Sequence, residues 1–192
     1  MPNEQEIVTI QKRVIEEKYS SISSPATYIN GKRYHFSERR IPDAGMLICL
    51  PNEFIDLPSV IAKQKYPSEN RPKVIISSAD ISVNFAFTLL SDAIRDEELI
   101  QTRNAALDAL KKIYPQNTYL DTGVETSKES RLFTWYEYYG PTLDSESYAL
   151  NAFMRIKNRL LHYLFNCPKA EYEDWRPIVL ETISSIREDQ TL

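Results

Sequence analysis

The chain has 192 residues, of which 42% are hydrophobic and 26% are charged, a balance typical of a folded globular protein. Its formal net charge of −4 supplies no cationic field for a phosphate backbone, so we expect no nucleic-acid partner. No apolar run approaches the roughly 20 residues of a membrane-spanning helix, and no secretory leader is visible. The sequence therefore predicts a cytoplasmic protein with no membrane span.

The sequence predicts an N-terminal extension over residues 1–24, followed by a single α+β domain over residues 25–192. Within the extension, Glu4–Tyr19 has apolar residues at both helical and β-type spacing, so its secondary structure stays open between the two. Ser20–Pro25 has the composition of a linker. A domain of this size buries about 70% of the surface that its unfolded chain exposes, so it needs no disulfide or metal for stability.

In chain order, the first half of the domain shows short β-type runs and one short helix. Asn30-Gly31, within Ala26–Phe36, is the strongest short signal for a β-hairpin. Further strands are predicted at Met46–Leu50, Lys73–Ser78 and Ser82–Leu90, and a short helix at Pro58–Tyr66.

The second half begins with the clearest helix, Asp92–Tyr114, whose aliphatic residues recur every seven positions and which Pro115 ends. Four more strands are predicted at Asn117–Val124, Arg131–Tyr139, Tyr148–Ile156 and Leu160–Cys167, and an amphipathic helix with Asp174 as its N-cap at Trp175–Ile186. Because antiparallel connections dominate, the expected fold class is α+β, with a largely antiparallel sheet packed between helices in an α/β/α sandwich.

The last two predicted strands assign residues to two faces of the sheet. A two-residue turn at Lys157-Asn158 or Asn158-Arg159 places the most apolar residues together on a core face: Leu150, Ala152, Met154 and Ile156 with Leu161, Tyr163, Phe165 and Cys167. The opposite face gathers Asn151, Phe153, Arg155 and His162 among apolar neighbours. That face could bind a ligand or a peptide through a few convergent polar groups, or it could be the less buried side of an antiparallel sheet.

The sequence carries no recognisable catalytic signature, since it lacks a glycine-rich phosphate loop, a nucleophile elbow and a zinc-protease motif. Two histidines, His35 and His162, are too few for a multi-histidine metal site, so we expect no metal and no cofactor. Cys49 and Cys167 lie in apolar runs, where burial raises a thiol pKa and core packing is favoured. Glu137 lies between aromatic residues and could be an acid or base, or could pair with a neighbouring cation.

Lys65–Pro72 is a polar loop that leads into a strand. Lys65 and Arg71 could bind an anion or a carboxylate of a partner, and Tyr66 offers contact area at low entropic cost. The same loop could be a structural turn, because Pro72 restricts the residues before it.

The order of elements and several local features resemble the PsbP/DcrB-like family, which includes the Ran-release factor. The likeness covers roughly Ala26–Arg187. It rests on the strand ending at Pro51, the Lys65–Pro72 loop before the Val83–Leu89 strand, the long helix and the closing helix. The resemblance implies an antiparallel sheet between helices, and its members are mostly non-enzymatic binding proteins. It transfers no functional residue to this chain.

The sequence therefore favours a non-enzymatic binding or adaptor protein that recognises a protein or peptide. Its expected contacts are Lys65, Tyr66 and Arg71 in the loop, and Asn151, Phe153, Arg155 and His162 on the sheet face. Two alternatives stay open. The protein could be a small-ligand enzyme that uses Glu137 or His162 as acid or base, or a structural subunit of a homodimer.

Overall fold

The computed structural model describes residues 21–69, 71–142 and 145–191, together with Val8. Within these residues the strands are β1 (Thr27–Ile29), β2 (Lys32–Tyr34), β3 (Phe36–Ile41), β4 (Met46–Pro51), β5 (Ile55–Asp56), β6 (Val74–Ser77), β7 (Asn84–Ala93), β8 (Thr118–Thr126), β9 (Leu132–Pro141), β10 (Glu146–Ile156), β11 (Arg159–Pro168) and β12 (Arg187–Glu188). The α-helices are α1 (Ser59–Lys65), α2 (Leu99–Ile113) and α3 (Tyr172–Ser184). Single 3-10 turns lie at Pro42–Ala44, Asp96–Glu98 and Lys169–Glu171.

Seven strands form the central antiparallel sheet in the order β5-β6-β7-β11-β10-β9-β8. A three-stranded sheet in the order β12-β4-β3 and the β1-β2 hairpin complete the β-structure. Helices pack on both sides of the central sheet. The predicted α+β class, with a largely antiparallel sheet between helices, is confirmed.

The inner face of the central sheet is the one that packs against α3, the three-stranded sheet and the β1-β2 hairpin. It carries the residues predicted to be core, among them Leu150, Leu161 and Phe165, all fully buried. Trp175 of α3 is fully buried at its centre, with the ring of Tyr34 at 5.4 Å and that of Phe165 at 5.6 Å. The predicted assignment of this face is therefore confirmed.

The outer face is the opposite face of the same sheet, and two helices cover different parts of it. Beneath α2, Leu99 and Leu107 pack against Phe153 and Leu160. Beneath α1, Ala62 packs against a second cluster formed by Ile75 and Ala86, with Leu57, Tyr66 and Leu164 beside it. A strip of β9, β10 and β11 lies between the two helices.

Two hairpin turns have both central residues in the left-handed region. Asn30 and Gly31 have φ of 49° and 71°, which joins β1 and β2 by a two-residue turn as predicted. Lys157 and Asn158 have φ of 49° and 63° and join β10 to β11, so that Ile156 pairs with Arg159. The sequence left the turn open between Lys157-Asn158 and Asn158-Arg159, and the structure has it at Lys157-Asn158. This turn fixes the face of the sheet on which each residue of the hairpin lies.

Several element boundaries differ from the prediction. Strand β3 was not predicted, because its sequence is largely polar and exposed. Strand β7 extends to Ala93, which pairs with Arg159, and the helix predicted from Asp92 begins only at Leu99 after a 3-10 turn. Helix α3 begins at Tyr172, so Asp174 lies in its first turn and is not its N-cap.

Part of the predicted linker is packed against the domain. Ile22 is buried, and both the Ser21 hydroxyl and the Ile22 N–H donate to the Glu181 carboxylate of α3, at 2.8 and 3.1 Å. The ambiguous segment Glu4–Tyr19 lies outside the described residues apart from Val8. Among the residues that are described, no helix combines the length and apolarity that crossing a membrane requires.

Candidate functional site

A groove of about 380 Å³ crosses the outer face between the C-terminal ends of α1 and α2, and we call it the outer groove. Its floor is formed by β9, β10 and β11. The lining residues are Lys65, Tyr66, Tyr114, Gln116, Asn117, Tyr138, Gly140, Pro141, Ser147, Ala149, Leu164 and Asn166. Two predicted site residues, Lys65 and Tyr66, thus meet the sheet face on which the other predicted group lies.

The groove exists because both helices stop at its edge and because its floor carries small side chains. Tyr66 and Tyr114 are the C-terminal caps of α1 and α2, and each precedes a proline that cannot continue the helix. Gly140, Ser147 and Ala149 fill little space above the sheet, so the region between the helices stays open.

A chain of hydrogen bonds fixes the wall of the groove at α1. The Asn166 amide donates to the Tyr66 hydroxyl at 2.8 Å and accepts from the Asn84 amide at 2.9 Å. Asn84 in turn accepts from the Ser77 hydroxyl at 2.8 Å. Burial raises the pKa of Tyr66, so its phenol remains protonated at neutral pH.

The charged residues of the Lys65–Pro72 loop have different surroundings. The Lys65 ammonium donates to the Ile81 carbonyl, and partial burial lowers the pKa of Lys65. Arg71 does not line the outer groove, and its guanidinium donates to the Ser68 carbonyl of its own loop at 3.2 Å. The groove therefore brings together Lys65 and Tyr66 but not Arg71.

Asn151 and His162 lie next to the groove floor, on the side toward α2. Asn151 pairs across the strands with Leu164 of the floor, and His162 Nε2 is 2.8 Å from the Asn151 amide oxygen. Phe153 stacks on the imidazole with ring centroids 5.1 Å apart. Burial lowers the pKa of His162 to about 4, so the ring is neutral at pH 7.

The other two predicted sheet-face residues have different positions. Phe153 is buried beneath α2, and Arg155 forms an ion pair with Asp96 at 2.9 Å and a hydrogen bond with Asn158 at 2.8 Å. Arg155 therefore contacts the 3-10 turn before α2 and its own hairpin turn, and it does not converge with His162.

A row of aromatic rings on the outer face is a feature that the sequence did not predict. Tyr119, Tyr138, Tyr136, Phe153 and His162 follow one another with centroid distances of 5.9, 6.4, 6.1 and 5.1 Å. Burial raises the pKa of Tyr138 to about 12. The alternation of β9 did not reveal this row, because both faces of that strand carry large aromatic residues.

Glu137 lies on the inner face and its carboxylate is bound by two donors. The Tyr148 hydroxyl donates to it at 2.6 Å and the Arg176 guanidinium at 2.9 Å, and the same guanidinium lies 5.2 Å from the Trp135 ring. Glu137 and Arg176 border a depression of about 560 Å³ beside α3. Among the described residues, no group of three or more His, Cys, Asp or Glu is placed to hold a metal ion.

Comparison with known proteins supports the fold. No protein-family profile matches the sequence, and no curated protein matches it either. The solution structure of CyanoP, the PsbP protein of Synechocystis sp. PCC 6803, matches 80% of this chain and 92% of its own, with a TM-score of 0.55 and 10% identity. A crystal structure from Bacteroides thetaiotaomicron matches 79% of this chain and 47% of its own, with a TM-score of 0.50 and 11% identity. The chain therefore has a PsbP-like fold.

Proposed function

We propose that this chain is a non-enzymatic binding or adaptor protein of the cytoplasm that holds a peptide segment of a partner protein in the outer groove. The observation that carries the proposal is the convergence of two distant parts of the sequence. Lys65 and Tyr66, at the end of α1, line the same groove as Leu164 and Asn166 of β11, and the Tyr66 hydroxyl bonds the Asn166 amide.

The composition of the groove supports binding better than chemistry. Tyrosine rings supply large contact area with few rotatable bonds, and the amides of Gln116 and Asn117 supply hydrogen-bonding groups that can fix an orientation. His162, one of the two predicted acid or base residues, lies beside the floor, where its ring is neutral and bonded to Asn151.

We also propose that the structural likeness extends beyond PsbP to DcrB-like proteins and the Ran-release factor. Many members of that group bind other proteins, which agrees with a groove whose described lining residues include no carboxylate, histidine or cysteine. Fold likeness alone does not establish a function, so the groove carries the argument.

Affinity capture from the native host tests the proposal with groove variants and a matched control. Tyr114→Arg and Leu164→Arg place a charge at the rim and on the floor of the groove, whereas Ile100→Arg does so on an exposed part of α2 outside it. We expect both groove variants to lose a partner that the wild type and Ile100→Arg retain. Equal recovery of every partner by all four proteins contradicts the proposal, and circular dichroism verifies that each variant is folded.

The two alternatives remain predictions with their own tests. An enzyme that uses Glu137 would lose activity in Glu137→Gln while binding in the groove stayed intact. A homodimer would show a concentration-dependent mass in light scattering. The bonds from Tyr148 and Arg176 account for the buried Glu137 carboxylate without a reaction, which is why binding is the leading proposal.

A further inference from the structure

The outer groove also indicates which kind of peptide it suits. We propose that its occupant is an uncharged, proline-containing segment in the polyproline II conformation, an inference that rests on the proposed function.

Three tyrosines line the groove from three different elements. Tyr66 ends α1, Tyr114 ends α2, and Tyr138 lies on β9 between them. Proline-rich segments dock in grooves lined by aromatic rings, because the flat rings form slots for pyrrolidine rings. A polyproline II segment is also rigid before binding, so it loses little conformational entropy.

The polar groups of the groove suit a backbone that exposes its carbonyls. A polyproline II helix has no internal hydrogen bonds, and its proline residues have no N–H to satisfy. Gln116 and Asn117 carry amide donors at the wall of the groove. Tyr138 remains a protonated phenol at neutral pH, since burial raises its pKa to about 12.

The charge of the groove favours an uncharged occupant. Of the described residues that line it, Lys65 alone is charged, and its ammonium is bonded to the Ile81 carbonyl. The lining has no carboxylate to pair with a basic peptide, and Lys65 disfavours a cation. The Asp80 carboxylate lies close enough to raise the pKa of Lys65 and offsets part of its charge, so the groove also has little to offer an acidic peptide.

The floor of the groove excludes addition of a strand to the sheet. Strands β9, β10 and β11 have a neighbour on each side, so their backbone groups are already paired. An extended occupant must therefore lie across the strands and contact the side chains of the groove, since the strand backbones offer it no free hydrogen-bonding groups.

An NMR titration of the full chain tests the inference with defined probe peptides. The first probe is an acetylated and amidated nonapeptide, Ala-Pro-Pro-Pro-Val-Pro-Pro-Pro-Ala, and the control is a glycine-serine peptide of equal length. We expect saturable shifts of the amide signals of Gly140, Ala149 and Leu164 with the first probe only. Tyr114→Ala should weaken binding about tenfold, because a tyrosine anchor of an interface is lost, and Ile100→Ala should leave it unchanged.

Three results overturn the inference. They are no groove shifts with the proline probe up to millimolar concentration, equal shifts with the glycine-serine peptide, and stronger binding of an alanine-based helical peptide at the same residues. In each case the capture experiment with Tyr114→Arg still decides whether the groove binds a partner. The titration can therefore disprove the proline-containing occupant while the capture experiment separately tests whether the groove binds a partner at all.

Discussion

The two faces of the central sheet differ in how they are covered. On the inner face, α3, a second sheet and a hairpin enclose one continuous core centred on Trp175. On the outer face, α1 and α2 cover separate clusters and leave the outer groove between them. Stability therefore depends mainly on the inner face, and the outer face has room for a binding role.

The largest effect that tests this comparison comes from two leucines of the same strand. Leu161 is fully buried on the inner face, whereas Leu164 is partly exposed on the floor of the outer groove. We expect Leu161→Ala to lower the free energy of unfolding by about 2–5 kcal/mol and Leu164→Ala by only about 1 kcal/mol. Chemical denaturation measures both. A loss of equal size at Leu164 would mean that the two faces do not differ as described.

The second effect concerns pH and the covered part of the outer face. The pKa of His162 is about 4 in the folded protein, below the roughly 6.5 of an unfolded histidine, so the unfolded chain binds the proton more strongly. The stability that the neutral ring provides is present above pH 6.5 and is lost as the pH falls toward 4. We expect a loss of about 2 kcal/mol between pH 7 and pH 5 from this residue.

The His162 effect can be separated from that of other groups. Asp80 and Asp189 have pKa values lowered to about 2, so their contributions are lost only below about pH 4. Denaturation of wild type and His162→Gln at pH 5 and pH 7 isolates the histidine, and the variant should lose less stability over this range. Identical pH dependence in the two proteins would show that His162 is not buried as a neutral ring.

The smallest effect is expected at the wall of the groove. Tyr66→Phe removes the hydroxyl that accepts from Asn166 and keeps the ring. We expect a loss of about 0.5–1.5 kcal/mol, the usual contribution of one hydrogen bond. Tyr28→Phe on the β1-β2 hairpin serves as the control, and a larger loss than this range would indicate that the Tyr66 wall supports the core.

Much of the fold could be predicted because its signals are local. The turn at Asn30-Gly31 follows from residues that accept positive φ, and the turn at Lys157-Asn158 fixes which side chains of β10 and β11 share a face. Strand β3 escaped prediction because its polar residues show no apolar alternation. The start of α2 was placed too early because β7 continues through polar residues to Ala93.

The outer groove could be predicted only in part. Its α1 residues, Lys65 and Tyr66, stand out as the start of a polar loop, and the hairpin register places Leu164 and Asn166 on the outer face. Their meeting with Tyr114 and Tyr138 depends on where two helices cross the sheet, which no local pattern encodes. Tyr138 was undecided because large aromatic residues occupy both faces of β9.

The contact between Ser21, Ile22 and Glu181 has a consequence for how an adaptor of this shape could work. It holds the chain at the point where the described domain begins, on α3 and thus on the far side of the sheet from the outer groove. Ser21 and Ile22 thus lie on the side of the central sheet opposite the outer groove. The central sheet therefore separates the start of the described domain from the surface at which we propose that a partner binds.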